Sequence, residues 1–157
     1  MLLFGCSQKE EKSLVKSLLV EQLKYSHTIE DWYPPTQKAL SGITTIQSNR
    51  EDSTANHSIN ELASHLLFWN ETLLNSINGK DVSEIEDELT FKYKSNLSWN
   101  DKLKITDSIQ TELEKAVENL SVSELQEWQS DIASITAHNA YHTGQIIYIR
   151  KQNGWWK

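Results

Sequence analysis

Ser58-Ile59-Asn60-Glu61-Leu62-Ala63-Ser64-His65-Leu66-Leu67-Phe68-Trp69 is the stretch from which the rest of the chain is read. Its first four residues form a capping box. The Ser58 hydroxyl accepts from the Glu61 backbone N–H and the Glu61 carboxylate from that of Ser58, so donors orphaned at a helix start are satisfied. From there Ile59, Leu62, Leu66, Trp69, Leu73 and Ile77 keep helical spacing until Asn78-Gly79 stops them. The pattern predicts a helix with one buried face.

Upstream, Leu14, Val15, Leu18, Leu19 and Leu23 predict another amphipathic helix running toward Tyr25. Asp31-Trp32-Tyr33-Pro34-Pro35 interrupts it, and because proline suits a first helical turn, a short helical piece is expected from there toward Leu40, with Gly42 as its stop. Gln47 to His57 lacks an apolar period and reads as a loop. Downstream, Asp81 to Glu88 is acidic, and Glu84 to Glu88 reads as a solvated charge run. Leu89, Phe91 and Tyr93 alternate with polar residues, which suggests a short extended segment crossing the outside of the fold. Ser98 can cap a third main helix burying Leu103, Ile109, Leu113, Val117 and Leu120, and Ser121 to Gln126 should break it. The last helix is expected from Asp131 to Gln152, with Ile132, Ile135, Ile146 and Ile149 in its stripe and Arg150 and Lys151 at its negative end. Four main helices with a long connection between the second and third make an all-α four-helix bundle.

Composition agrees. The chain has 157 residues, enough for one core, and only two Pro and five Gly, few for a protein rich in tight β-turns. A net charge of −7 with scattered Lys and Arg disfavours nucleic acid as a partner. No apolar run approaches the roughly 18 to 20 residues of a membrane span. The lone Cys6 excludes an internal disulfide and a Cys-rich zinc module. Leu3-Phe4-Gly5-Cys6-Ser7 is similar to the cleavage box of a bacterial lipoprotein signal, but only five residues precede the cysteine. Two readings stay open: a clipped signal, with the protein lipid-anchored through Cys6 outside the cytoplasm, or a short leader on a cytoplasmic protein. Residues 1–12 are accordingly read as a tail or leader remnant and 13–157 as the domain.

His138 and His142 are four residues apart, hence on one helix face, within the sector that Ile135, Ile146 and Ile149 turn toward the core. Two imidazoles there are costly unless hydrogen-bonded or bound to a metal. A third ligand should come from another helix, and His65, between Leu62 and Trp69, is the best placed. His57, just before the capping box, and His27, at the end of the first helix, read as surface residues. The alternative is that His65, His138 and His142 are separate core histidines with polar partners. His138-Asn139-Ala140-Tyr141-His142 has Asn where a zinc protease helix carries its Glu, which disfavours that chemistry. No phosphate-cradling glycine loop or nucleophile elbow is present in the sequence.

Four blocks carry a resemblance: Asp31-Trp32-Tyr33-Pro34-Pro35, His57 through Trp69, Ser98-Trp99, and His138-Asn139-Ala140-Tyr141-His142-Thr143-Gly144-Gln145-Ile146. With these the chain, from Leu23 to about Trp155, resembles the DinB/YfiT-like superfamily of metalloenzymes. The resemblance implies a four-helix bundle of that type. It implies a divalent metal, nickel or zinc before iron or manganese, held by one histidine of the second helix and a pair on the last, which fall on His65, His138 and His142. It further implies thiol chemistry, because characterised relatives include S-transferases using bacillithiol, mycothiol or glutathione, and a thiol-dependent isomerase.

The expected function is a metal-dependent transferase that joins a low-molecular-weight thiol to a small electrophilic substrate. Three histidines leave a coordination position open, where a thiol or water loses its proton more easily. A metal-dependent hydrolase, favoured if Cys6 is lipidated, and a non-catalytic metal-binding module associated with stress are the alternatives. Gln145, one turn after His142, and Trp32, in a loop the family shares, are expected to border the pocket. The outer helix faces, Phe68 included, leave room for a homodimer, which the family often forms.

Overall fold

The computed structural model describes residues 4–51, 56–82 and 85–156, with side chains from residue 14 onward. Among them the chain is all-α: α1 (Phe4–His27), α2 (Thr36–Leu40), α3 (Thr45–Ser48), α4 (Ile59–Ile77), α5 (Asp87–Thr90), α6 (Trp99–Asn119) and α7 (Val122–Gln152), with no strand. The four long helices close a ring of contacts in which α6 and α7 each pack against both α1 and α4. Among the described residues no helix is long and apolar enough to cross a membrane. The side chain of Cys6, on which the lipidation reading turns, lies outside the described residues.

The helix starts follow from local chemistry. Ser58 and Glu61 make the expected capping box, and Ser98 accepts from the Asp101 N–H. Gly42 and Gly79 adopt φ of +71° and +67°, the left-handed conformation that ends a helix without a Cβ clash. Three expectations need correction. The stretch Gln47 to His57 is not all loop, because Thr44 and Gln47 form a capping box that starts α3. Leu89, Phe91 and Tyr93 are not extended: α5 and the turns after it fill that region, and their alternation arises from a helical turn followed by tight turns. The last helix begins at Val122, nine residues before Asp131, because Ser121 and Glu124 cap a new helix where a longer break was expected.

The core comprises two apolar clusters. Leu19, Leu23, Leu73, Leu113, Val117 and Ile132 belong to one; Leu40, Ile59, Leu66, Trp99, Ile146 and Ile149 belong to the other. On α1 the buried apolar residues are Leu19, Val20 and Leu23, whereas Leu14 and Leu18 of the expected stripe are exposed. Phe68 is buried rather than on an outer face, packed edge-on against Trp69 and Tyr93, so it offers no surface to a second copy. Arg150 reaches past its own helix to donate to the Lys38 and Ala39 carbonyls at the end of α2.

Along both α4 and α7 the two clusters are separated by polar residues. Asn70 falls between Leu66 and Leu73, and His138, Asn139, His142 and Thr143 fall between Ile135 and Ile146. Thr36 joins this belt from α2, donating to the Ser26 carbonyl at 2.8 Å and hydrogen-bonding Thr143 Oγ1 at 2.8 Å. Buried polar groups are tolerated only when paired. The belt is therefore where paired polar groups replace apolar packing, and His138 and His142 lie in it.

Candidate metal centre

α4 brings His65 and α7 brings His138 and His142 to one place, with one nitrogen of each ring within 4.8 Å of the others. His65 Nε2 lies 3.0 Å from His138 Nε2. A tetrahedral ion with Zn–N bonds of about 2.0 to 2.1 Å separates its ligand nitrogens by roughly 3.3 Å, so the cluster has the dimensions of a three-histidine site. Three histidines in this arrangement could hold a metal ion.

Hydrogen bonds fix the tautomers of two of the rings. Thr90 Oγ1 has a single hydrogen, which it donates to the Asp87 carbonyl, so toward His65 it accepts, and the proton of His65 sits on Nδ1. The Nε2 of His65 is left with its lone pair pointing into the cluster. His142 Nδ1 donates to Gln145 Oε1 at 2.6 Å, which leaves its Nε2 unprotonated too. Gln145 is held in turn by donating from Nε2 to the Tyr141 hydroxyl at 3.2 Å. His138 differs: its Nδ1 is buried without a hydrogen-bond partner among the described residues. Without an ion, its Nε2–H is the natural donor to His65 Nε2; holding an ion through Nε2 requires that proton to move to the orphaned Nδ1 or leave.

All three rings are neutral near pH 7. Burial, reinforced by the neighbouring histidines, lowers the pKa of His65 to about 3, and burial followed by the charge of His142 lowers that of His138 to about 4. Burial also lowers His142. The negative charge of Asp87, exposed on α5, opposes the shift at His138 and His142. Three neutral imidazoles are a donor set suited to a cation.

The segment after α5 roofs the site. Phe91 stacks on His65 with ring centroids 4.1 Å apart, and His57 stacks on the other face of Phe91 at 3.7 Å. Tyr93 and Lys94 anchor this roof to α4 by donating to the Glu71 carboxylate at 3.1 and 2.6 Å, with Lys94 at a φ of +47°. His57 is thus half-buried in a stack, not a surface residue. Beyond the roof a cavity of about 620 Å³ opens onto His142, walled by His57, Phe91, Tyr141, Gln145 and Tyr148.

The expected Gln145 takes its place in this wall. Trp32 does not: it is 94% exposed and lies outside the cavity wall. His27 is also corrected. It is 3% exposed, with Nδ1 2.7 Å from Glu114 and Nε2 3.0 Å from Asp107, so α6 supplies two acceptors to what sequence reads as a frayed end. Thr90 and Phe91 were not legible as site residues, since nothing in their spacing ties them to a helix twenty-five residues earlier.

Compared with known proteins, the chain matches no family model, no curated protein and no solved structure.

Proposed function

We propose that His65, His138 and His142 hold one divalent ion, nickel or zinc, in a four-helix bundle of the DinB/YfiT type. On this reading the protein is a metal-dependent transferase that joins a low-molecular-weight thiol to a small electrophile. The observation that carries the reading is the convergence of three neutral imidazoles, two of them with Nε2 lone pairs held inward by Thr90 and Gln145. A bound ion of this kind lowers the pKa of a thiol or water placed at its open position.

The chain's own groups supply the rest. The cavity beside His142 admits a ligand to the open side, with the Tyr141 and Tyr148 rings as apolar surfaces and Gln145 and His57 as hydrogen-bonding groups. Phe91 covers His65 and keeps water from that side of the cluster.

The test is spectroscopic and catalytic. Nickel-loaded protein mixed with a small thiol should develop a thiolate-to-metal charge-transfer band, and the same protein should accelerate conjugation of that thiol to an activated aryl halide. Both signals should vanish in His142→Ala. A metal-loaded protein showing neither signal with any small thiol would overturn the transferase reading.

A further inference from the structure

A second chamber, of about 340 Å³, is lined by His138 rather than His142, and it shares no wall residue with the cavity described above. His138 is part of its wall. Its large surfaces are the indoles of Trp69 and Trp128, and Asp131 and Ser134 stand at its mouth on α7. Trp69 is edge-on to His65 and His138, with ring centroids 6.3 and 6.5 Å apart, so one indole touches both this chamber and the cluster.

Asp131 is the one carboxylate in this wall, and neither Lys nor Arg accompanies it. Among the described residues its carboxylate makes no ion pair and no side-chain hydrogen bond. Aromatic faces attract cations through their quadrupole, and a carboxylate at the mouth adds direct charge complementarity. The protein's net charge of −7 favours the approach of cations generally. The chamber's volume falls in the lower range of small-molecule sites, about 300 to 1,000 Å³.

We propose that this chamber binds a small organic cation of the arylalkylammonium class, its ring against Trp69 and Trp128 and its ammonium at Asp131. Because the chamber and the cavity beside His142 are separate, both can be filled at once. The binding of this cation does not rest on the metal reading.

The experiment uses the full chain without metal, with phenethylamine as probe and the neutral 2-phenylethanol as control. Indole N–H resonances assigned to Trp69 and Trp128 should shift saturably with phenethylamine, while that of Trp99, which donates to the Ile43 carbonyl in the core, stays in place. The alcohol should bind about fivefold more weakly or worse, and Asp131→Asn should weaken the amine by a similar factor. Ser134→Phe, a substitution at an exposed position, should abolish the shifts by filling the chamber. Equal affinity for amine and alcohol, shifts that survive Ser134→Phe in folded protein, or no saturable shift up to about 10 mM would each overturn the proposal. Since no metal is added, failure here is separate from failure of the metal centre.

Discussion

Asn70 and Asn139 face each other across α4 and α7 and exchange two amide hydrogen bonds, Nδ2 to Oδ1, of 2.8 and 3.0 Å. Asn70 also donates to the Leu66 carbonyl at 2.7 Å, which fixes its orientation. Each amide satisfies the other in a buried layer, so the pair is best met in one register of the two helices. That register sets His138, the neighbour of Asn139, against His65, five residues before Asn70.

Asn139→Leu should therefore destabilise the protein by about 1 to 3 kcal/mol, the cost of leaving Asn70 Oδ1 and one Nδ2 hydrogen buried without partners. The double variant with Asn70→Leu should recover part of that loss, because both partners are then apolar. Urea unfolding of the two variants checks the difference. A double variant no more stable than the single would mean the amide pair does not hold the helices together.

Thr90→Val keeps the shape of the side chain but removes the acceptor for His65 Nδ1–H. If the cluster holds an ion, affinity should fall about 10- to 100-fold, with the fold unchanged. Competition with a chromophoric chelator measures this. Affinity equal to that of the unmodified protein would show that Thr90 does not set the tautomer of His65.

His27 provides a pH signature outside the candidate centre. Burial disfavours its charged form, but hydrogen bonds to Glu114 and Asp107 outweigh burial and raise its pKa above the ordinary value of 6.5. The folded state thus holds its proton more tightly than the unfolded chain. The resulting stabilisation is fully present below about pH 6.5 and is lost as pH rises through the higher folded pKa. His27→Gln should narrow the stability gap to the unmodified protein as pH goes from about 5.5 to 9, read as urea midpoints. A gap that stays constant over that range would contradict it.

Lys102 should act in the opposite direction. Its side chain is 1% exposed and its Nζ donates to Asn60 Oδ1 at 2.6 Å and to Ser64, both neutral. Burial lowers its pKa to about 8, while the charge of Glu61 pulls weakly the other way. Between about pH 8 and the unfolded value near 10.5 the unfolded chain binds more protons, so stability contributed at this position rises with pH. Lys102→Met should abolish that rise, as urea midpoints from about pH 7 to 10 would reveal. A rise of the same size in the variant would assign it to other groups.

The long helices were legible because a 3.6-residue apolar period and polar caps act within a dozen residues, as in Ser58 to Ile77. The histidine trio was legible because His138 and His142 share the phase of Ile135 and Ile146. What sequence misread depends on partners distant in the chain. His27 is buried by carboxylates on α6, 80 and 87 residues away, and no local pattern encodes that meeting. Leu89, Phe91 and Tyr93 alternate as a strand would, yet Phe91 turns inward because His57 and His65 offer two ring faces for stacking. Ser121 to Gln126 reads as a break, yet Glu124, three residues after Ser121, closes a capping box that starts the next helix at once.

Metal retention decides whether His65, His138 and His142 together hold one ion. Elemental analysis of untagged protein, reconstituted with nickel or zinc and freed of excess metal, tests it most directly beside His65→Ala and His142→Ala. The account predicts about one ion per chain in the unmodified protein and none retained in either variant, both still helical by circular dichroism. No retained ion in the unmodified protein, or an ion that stays in both variants, would contradict it.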